Sequence, residues 1–365
     1  MVSSVTNLRM ASVADLGSFD EVIDARSPGE FIEDHIPGAI NLPVLDDDER
    51  IEVGTLYKQV SNFAAKKVGA PLVWRNIARH LDTHFADKPK TWHPLIYCWR
   101  GGSRSGSLVY VLQQIGFNAQ QLDGGYKAYR RAVLADLELL PQRHRFLVIS
   151  GPTGSGKTRL LQSLTRLGGQ VLDLEKLALH RGSLLGALPD QAQPNQKSFE
   201  GAIWHALRSF DPARPVFVES ESKRIGALCV PEALINQMRA SACTQISVAQ
   251  NLRVALLLEE YAHFFTRPDL LRHQLACFVA LRGRETVAAW HALIAAKDWR
   301  ALFDDLLVKH YDPAYARSLN ANYAESERGL GYAVQDISVA GFDALATQIL
   351  HEHDVESALT EPSIG

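Results

Sequence analysis

Phe146-Leu147-Val148-Ile149-Ser150 runs directly into Gly151-Pro152-Thr153-Gly154-Ser155-Gly156-Lys157-Thr158, and an amphipathic helical pattern continues to Leu167. The loop fits GxxxxGK[ST]: glycines let backbone amides turn toward phosphate oxygens, the lysine neutralises charge, and the hydroxyl reaches a Mg2+ ion. Its placement between an apolar strand and a helix selects the phosphate-binding reading over a decorative glycine turn. Gly151, Gly154, Ser155, Gly156, Lys157 and Thr158 are therefore the candidate diphosphate- or triphosphate-binding residues, with Thr158 the candidate Mg2+ residue.

Outward from this loop, Gln170–Leu174 and Pro215–Glu219 read as further buried strands. Open α/β sheets bind ligands outside the carboxyl ends of their strands. Asp173-Leu174-Glu175, His180-Arg181-Gly182-Ser183 and Glu219-Ser220-Glu221-Ser222-Lys223-Arg224 follow such ends. Asp173, Glu175, Arg181, Glu219, Glu221 and Arg224 are thus candidate substrate or supporting contacts. A strand-end acidic pair is the plain alternative for the first cluster, and a capped helix end for the second. Glu219 stands where nucleotide hydrolases place an Asp that holds Mg2+. Beyond Ala240 the pattern is mostly helical, with Phe342–Glu352 a last amphipathic helix and residues 361–365 a loose end. Arg239, Arg253, Arg267, Arg272, Arg282 and Arg284 spread over this half offer weak support for RNA phosphate contact, a solvated helix face being the commoner explanation.

The chain has 365 residues, enough for roughly two domains at about 150 residues each. With 46% hydrophobic and 22% charged residues it is not collagenous, mucin-like or disordered. Thirty-eight Lys and Arg against 41 Asp and Glu leave a formal charge of -3, so an RNA partner must meet a local basic patch. The polar break at 141–145 is the expected boundary between a domain at 1–140 and another at 141–365. The N-terminal part alternates strands (Glu21–Ala25, Pro94–Tyr97, Gln120–Leu122) with helices. Asp46–Arg50 reads as a charged surface loop, and a mostly helical insertion occupies about residues 45–90. That insertion would cover a site, make a partner surface or simply be solvated. No secretory signal or membrane-length apolar run is evident, so a reducing cytoplasm is the expected setting.

Cys98 ends the strand Leu95-Ile96-Tyr97 and is followed by Trp99-Arg100-Gly101-Gly102-Ser103-Arg104-Ser105. A cysteine between a strand and a glycine-led helix sits in a bowl of amides, which favours the thiolate, and Arg100 and Arg104 add positive charge. The bowl would hold a tetrahedral anion or a chalcogen atom on the cysteine. Cys229 before Val230-Pro231, Cys243 in a polar turn and Cys277 in a helix are expected in the core. No CxxC pair is present, so neither a disulfide framework nor structural zinc is expected.

Asp24-Ala25-Arg26-Ser27-Pro28-Gly29-Glu30-Phe31, Asp34-His35-Ile36-Pro37-Gly38-Ala39-Ile40-Asn41, Cys98 with Arg104, and Gly124-Gly125-Tyr126 together resemble a rhodanese domain. A rhodanese-like domain followed by a P-loop domain, with Cys98-Trp99 and Glu219-Ser220-Glu221-Ser222, resembles the bacterial tRNA 2-selenouridine synthases over about residues 10–350. The resemblance implies an α/β fold: an N-terminal rhodanese-like domain, then a P-loop NTPase-like α/β domain with a mostly helical C-terminal part. It implies conversion of wobble (position 34) 2-thiouridine in tRNA to 2-selenouridine with selenophosphate, by way of S-geranyl-2-thiouridine made from geranyl diphosphate. Cys98, Arg100 and Arg104 would then handle selenium and its phosphate. The phosphate loop would hold the diphosphate, with Mg2+ on Thr158 and no tightly bound cofactor. The tRNA anticodon loop is the implied partner, and selenophosphate synthase the implied donor partner. The alternatives are a nucleotide-dependent persulfide sulfurtransferase, a P-loop kinase with a regulatory rhodanese module, and a non-catalytic RNA adaptor.

Overall fold

The computed structural model describes residues 8–183, 185–323 and 330–360, so the loose end expected at 361–365 lies outside the described residues. The chain divides into two compact units, Met1–Asp136 and Leu137–Gly365.

The first unit runs β1 (Met10–Ala11), β2 (Glu21–Asp24), α1 (Pro28–Glu33), β3 (Ile40–Asn41), α2 (Asp47–Gln59), α3 (Asn62–Asp82), β4 (Pro94–Tyr97), α4 (Ser103–Ile115), β5 (Gln120–Leu122) and α5 (Gly125–Leu137). Its strands are all parallel, in the order β1-β5-β4-β2-β3. β4 is central and every residue of it is buried, which is why it reads as an unbroken apolar run. The acidic run at 46–50 is not a loop. Asp46 accepts the Glu49 amide at 2.8 Å and Glu49 accepts the Asp46 amide at 3.0 Å, a reciprocal cap that starts α2. Three acids in the first turn also complement the helix dipole. The insertion is part of the core: Ile77 of α3, with Phe85 and Trp92 after it, packs with Ile23, Ile96, Leu108 and Leu112.

The second unit runs β6 (Phe146–Ser150), α6 (Lys157–Arg166), β7 (Gln170–Leu172), α7 (Leu174–Ala178), α8 (Gln196–Ser209), β8 (Val216–Glu219), a hairpin of β9 (Arg224–Ile225) and β10 (Leu228–Cys229), then α9 (Glu232–Arg239) and β11 (Cys243–Val248). A helical layer comes next: α10 (Gln250–Glu260), α11 (Pro268–Ala276), α12 (Val279–Arg282), α13 (Arg284–Ala296), α14 (Trp299–Leu306) and α15 (Asp312–Asn322). β12 (Gly331–Val334) and α16 (Val339–Thr360) complete the unit. The main sheet is parallel in the order β12-β11-β6-β8-β7.

β11 and β12 escape the sequence pattern, which reads the chain beyond Ala240 as mostly helical. β11 interleaves Thr244, Gln245 and Ser247 with apolar residues, so no apolar run marks it, yet it pairs with β6 on one side and β12 on the other. Cys243 accordingly lies in a buried strand rather than a polar turn, while Cys229 and Cys277 are exposed rather than in the core. The helical layer has its own core, centred on Phe264, Leu275, Phe278, Trp290 and Phe303. No helix of the described residues is long and apolar enough to cross a membrane.

Candidate functional site

β4 carries Cys98 to the carboxyl edge of the first sheet, where the side chain is buried. Two glycines permit the tight return. Gly101 and Gly125 adopt φ of +66° and +56°, and a Cβ on Gly125 would lie 2.3 Å from the Cys98 carbonyl oxygen. The Tyr126 amide donates to that oxygen at 2.8 Å. Ser105 Oγ donates to Cys98 Sγ at 3.1 Å and accepts from Gln121 Nε2 at 2.8 Å, a relay that fixes the hydroxyl toward sulfur. Gly102 begins α4 without a side-chain cap, leaving the first-turn amides to an anion. The Trp99 ring stacks on Tyr126 at 5.3 Å, and the buried Arg26 guanidinium, paired with Asp24 at 2.6 Å, lies over the Tyr126 ring.

The two arginines expected beside Cys98 differ in state. Arg100 is exposed and makes no ion pair among the described residues. Arg104 is half-buried and holds Glu30 through both guanidinium nitrogens. Burial pushes the Glu30 carboxyl up, but the Arg104 bond and charge more than offset this and hold it below its ordinary value. Arg104 therefore ties α4 to α1 and is not, as placed, an open phosphate ligand.

In the second unit the phosphate loop lines a cavity of about 290 Å3 with Glu175, Arg181, Glu219, Glu260 and Tyr261. Gly154 and Gly156 adopt φ of +75° and +78°, and a Cβ on Gly156 would meet the Phe342 ring at 2.3 Å. Lys157 Nζ donates to the Gly151 carbonyl at 2.9 Å, folded back over the loop. Thr158 Oγ1 donates to Glu219 at 2.9 Å. Glu175, Glu219 and Glu221 bring one carboxylate oxygen each within 4.8 Å of one another. Burial pushes all three carboxyls up, Glu219 to about 7; neighbouring carboxylates add to this at Glu175 and Glu219, and Lys157 opposes it at all three. Hard oxygen donors, clustered and short of positive charge beside Thr158, suit Mg2+.

Of the predicted residues, the structure gathers Gly154, Gly156, Lys157, Thr158, Glu175, Arg181 and Glu219 around this cavity. Glu221 stands in the carboxylate cluster, and Gly151 and Ser155 form the buried floor of the loop. Two others do not line the cavity, although the charge of one of them, Asp173, still reaches all three carboxyls. Asp173 caps α7, its carboxylate accepting the Lys176 amide at 2.9 Å, because a short polar side chain before a helix is drawn to free amides. Arg224 is exposed on the β9 hairpin and does not line the cavity. Arg181 does line it, but donates to the Glu260 carbonyl at 2.7 Å and lies over the Tyr261 ring.

Sequence reasoning missed Arg253. It is buried rather than part of a basic face, and its Nε and Nη2 donate to the Thr153 carbonyl at 2.9 and 2.8 Å while Asp312 neutralises it. It thereby fastens the phosphate loop to α10. Arg267 and Arg272 are paired with Asp190 and Asp269 and offer little uncompensated charge to RNA, whereas Arg282 donates to the neutral His310 ring and keeps its charge. Glu30, Ser105 and Tyr261 were equally unsignalled, since each is far in sequence from the group it serves or is chemically ordinary.

Residues 144–274 match the family described as tRNA 2-selenouridine synthase AAA domain, and residues 10–132 match the rhodanese-like domain. The chain is similar to the tRNA 2-selenouridine synthase of Hahella chejuensis, 36% identical over 378 residues, covering 89% of this chain and 93% of that protein. It is similar to that of Aeromonas salmonicida, 36% identical over 286 residues, covering 78% and 74%. Against that of Nitrosomonas europaea it is 36% identical over 245 residues, and the match spans 63% of that protein's length and 66% of this chain.

Proposed function

Since the chain belongs to the tRNA 2-selenouridine synthase family, we propose that it converts 2-thiouridine at the tRNA wobble position to 2-selenouridine, with selenophosphate as donor and S-geranyl-2-thiouridine as intermediate. The observation that carries this reading is the pairing, in one chain, of a diphosphate-sized cavity flanked by carboxylates with a buried thiol in an amide bowl.

In the first step the phosphate-loop amides and Lys157 hold the diphosphate of geranyl diphosphate. The allylic C–O bond breaks and its electron pair leaves with the diphosphate. The thiocarbonyl sulfur forms the new S–C bond and the base loses its N3 proton. Thr158, Glu175, Glu219 and Glu221 would hold Mg2+, which when bound supplies charge neutralisation of the diphosphate. Glu260 and Tyr261 line the same cavity, where they would flank the allylic centre.

In the second step selenium of selenophosphate adds at C2, and the geranyl thiolate departs with the C–S pair. The Cys98 thiolate attacks phosphorus of the resulting adduct, the P–Se bond breaks to leave the selenocarbonyl, and water releases phosphate from the cysteine. Atoms and electrons balance without an oxidant. Arg100 and the first-turn amides of α4 hold the phosphate oxygens, joined by Arg104 once it exchanges Glu30 for phosphate. Ser105 keeps the sulfur oriented.

Nucleoside mass spectrometry on 2-thiouridine tRNA incubated with enzyme, selenophosphate and geranyl diphosphate tests the reading. Lys157→Ala is expected to block geranylation, and Cys98→Ser to let S-geranyl-2-thiouridine accumulate. A requirement for ATP with geranyl diphosphate dispensable would favour a nucleotide-dependent sulfurtransferase instead. Full activity of Cys98→Ser would favour a kinase with an inert rhodanese module.

A further inference from the structure

The insertion of the first unit carries an electrostatic asymmetry that the two chemical sites leave unused. From Tyr57 to Arg79 the chain has five basic residues, Lys58, Lys66, Lys67, Arg75 and Arg79, and no Asp or Glu, within a molecule of net charge -3. All five are exposed, and among the described residues none forms an ion pair. Five of the insertion's acids, Asp46, Asp47, Asp48, Glu49 and Glu52, lie at the cap and in the first half of α2, where Glu49 accepts from the Asn76 side-chain amide at 2.7 Å, and Asp82 and Asp87 follow the basic run. Three aromatic rings stand out among these cations: Tyr57, Phe63 and Trp74 are 60%, 78% and 49% exposed.

Between α2, α3 and α4 lies a mostly apolar cavity of about 410 Å3, within the range of about 300–1,000 Å3 typical of ligand sites. Tyr57, Lys66 and Trp74 form one side of it, and Ser103, Arg104 and Ser107 the other. The second side is the first turn of α4, whose Ser105 also contacts the Cys98 sulfur.

We propose that this face binds the single-stranded loop of the RNA substrate, with Lys58, Lys66, Lys67 and Arg75 on its phosphates and one unstacked base seated in the cavity against Trp74 and Tyr57. The inference rests on the tRNA reading above and deepens it by naming the surface. Exposed aromatics interleaved with uncompensated cations are the chemistry of single-strand binding, in which bases stack on rings and the backbone follows the charge. A protein partner is the poorer match, because protein interfaces are depleted in lysine. In the helical layer Arg253, Arg267 and Arg272 are paired with Asp312, Asp190 and Asp269, so these three compete poorly for this role.

Fluorescence anisotropy of the full chain with a labelled anticodon stem-loop containing 2-thiouridine tests the proposal. Trp74→Ala is expected to weaken binding about 5- to 100-fold, and Trp74→Phe to restore most of it. Lys66→Glu combined with Lys67→Glu should weaken binding and flatten the salt dependence by about 0.7–0.9 for each phosphate interaction removed. Arg272→Glu, on α11, should bind as the unaltered chain does. Thermal melts identify any variant that misfolds, and protection of Lys58, Lys66 and Lys67 from acylation by bound RNA gives a readout on the unaltered chain. Failure of the unaltered chain to bind the stem-loop would overturn the tRNA reading itself. Normal RNA binding by folded Trp74→Ala and Lys66→Glu/Lys67→Glu, with no lysine protection, would overturn this surface alone. Loss of selenophosphate synthase binding in those variants, with RNA binding intact, would make the face a protein dock and equally sink the proposal.

Discussion

The loop after Tyr97 and the loop after Ser150 both leave a buried parallel strand, turn on left-handed glycines and enter a helix, but they prepare for anions differently. The cysteine bowl relies on amides and a neutral relay, Gln121 to Ser105 to Cys98, and one of its two arginines, Arg104, is already neutralised by Glu30. The phosphate loop instead sets Lys157 beside three buried carboxylates, an arrangement that is unfavourable until a cation joins it. The first site holds its sulfur by neutral hydrogen bonds and leaves only the first-turn amides of α4 open to an anion. The second gathers carboxyls that burial holds above their ordinary range. A group that must deliver one reactive atom gains from a fixed bowl, whereas a site that binds and releases a highly charged leaving group gains from being incomplete without it.

Four measurements break or sharpen that contrast. On the proposed chemistry the largest effect is expected from Lys157→Ala, which should lower the geranylation rate by at least about a hundredfold, as loss of a charge-stabilising donor does. Cys98→Ser should leave that rate nearly unchanged, and mass spectrometry of time points separates the two. Next is Gly125→Ala. Its φ of +56° and the 2.3 Å approach to the Cys98 carbonyl should cost about 1–3 kcal/mol in backbone strain alone, visible in urea unfolding, with selenation failing before geranylation.

The third concerns pH, where the two units carry opposite signs. Glu219, Glu175 and Glu221 have raised values, so metal-free protein is most stable when they are protonated. That stability declines as pH rises from the unfolded carboxylate range through about 7, the value for Glu219. Mg2+ should restore the melting temperature at pH 8 and matter little at pH 5.5, and Glu219→Gln should flatten the dependence. Glu30 is held low, so its bridge to Arg104 contributes above the unfolded carboxylate value and is lost as pH falls through its lower folded value. The smallest effect is Glu30→Gln, which should cost up to about 1 kcal/mol of stability. By releasing Arg104 it should also tighten inorganic phosphate binding, measured by calorimetry; unchanged phosphate affinity would show that Arg104 does not reach the anion.

Most of the architecture was legible in residues 10–240. β2, β4, β6 and β8 are short buried strands flanked by turn chemistry, and parallel strands covered on both faces read as apolar runs. β11 was not legible, because three of its six residues are polar and its membership in the sheet depends on pairing with strands far away in sequence. The charge run at 46–50 misled for a related reason: acids that look like a solvated loop also suit a helix start, and only the continuation of the helix through Gln59 decides between the two.

The sequence by itself determined the two loops, since glycine spacing, a terminal strand and a succeeding helix are local properties that specify how the backbone turns and where its amides point. Tertiary structure alone decided the rest: that Arg104 answers to Glu30, that Arg253 clamps Thr153, that Glu175 joins Glu219 and Glu221, and that the insertion's cations stay without ion-pair partners among the described residues. The physical reason is distance along the chain. A side chain's partner is whatever the packed fold brings within a few ångströms, and those partners lie tens to a hundred residues apart.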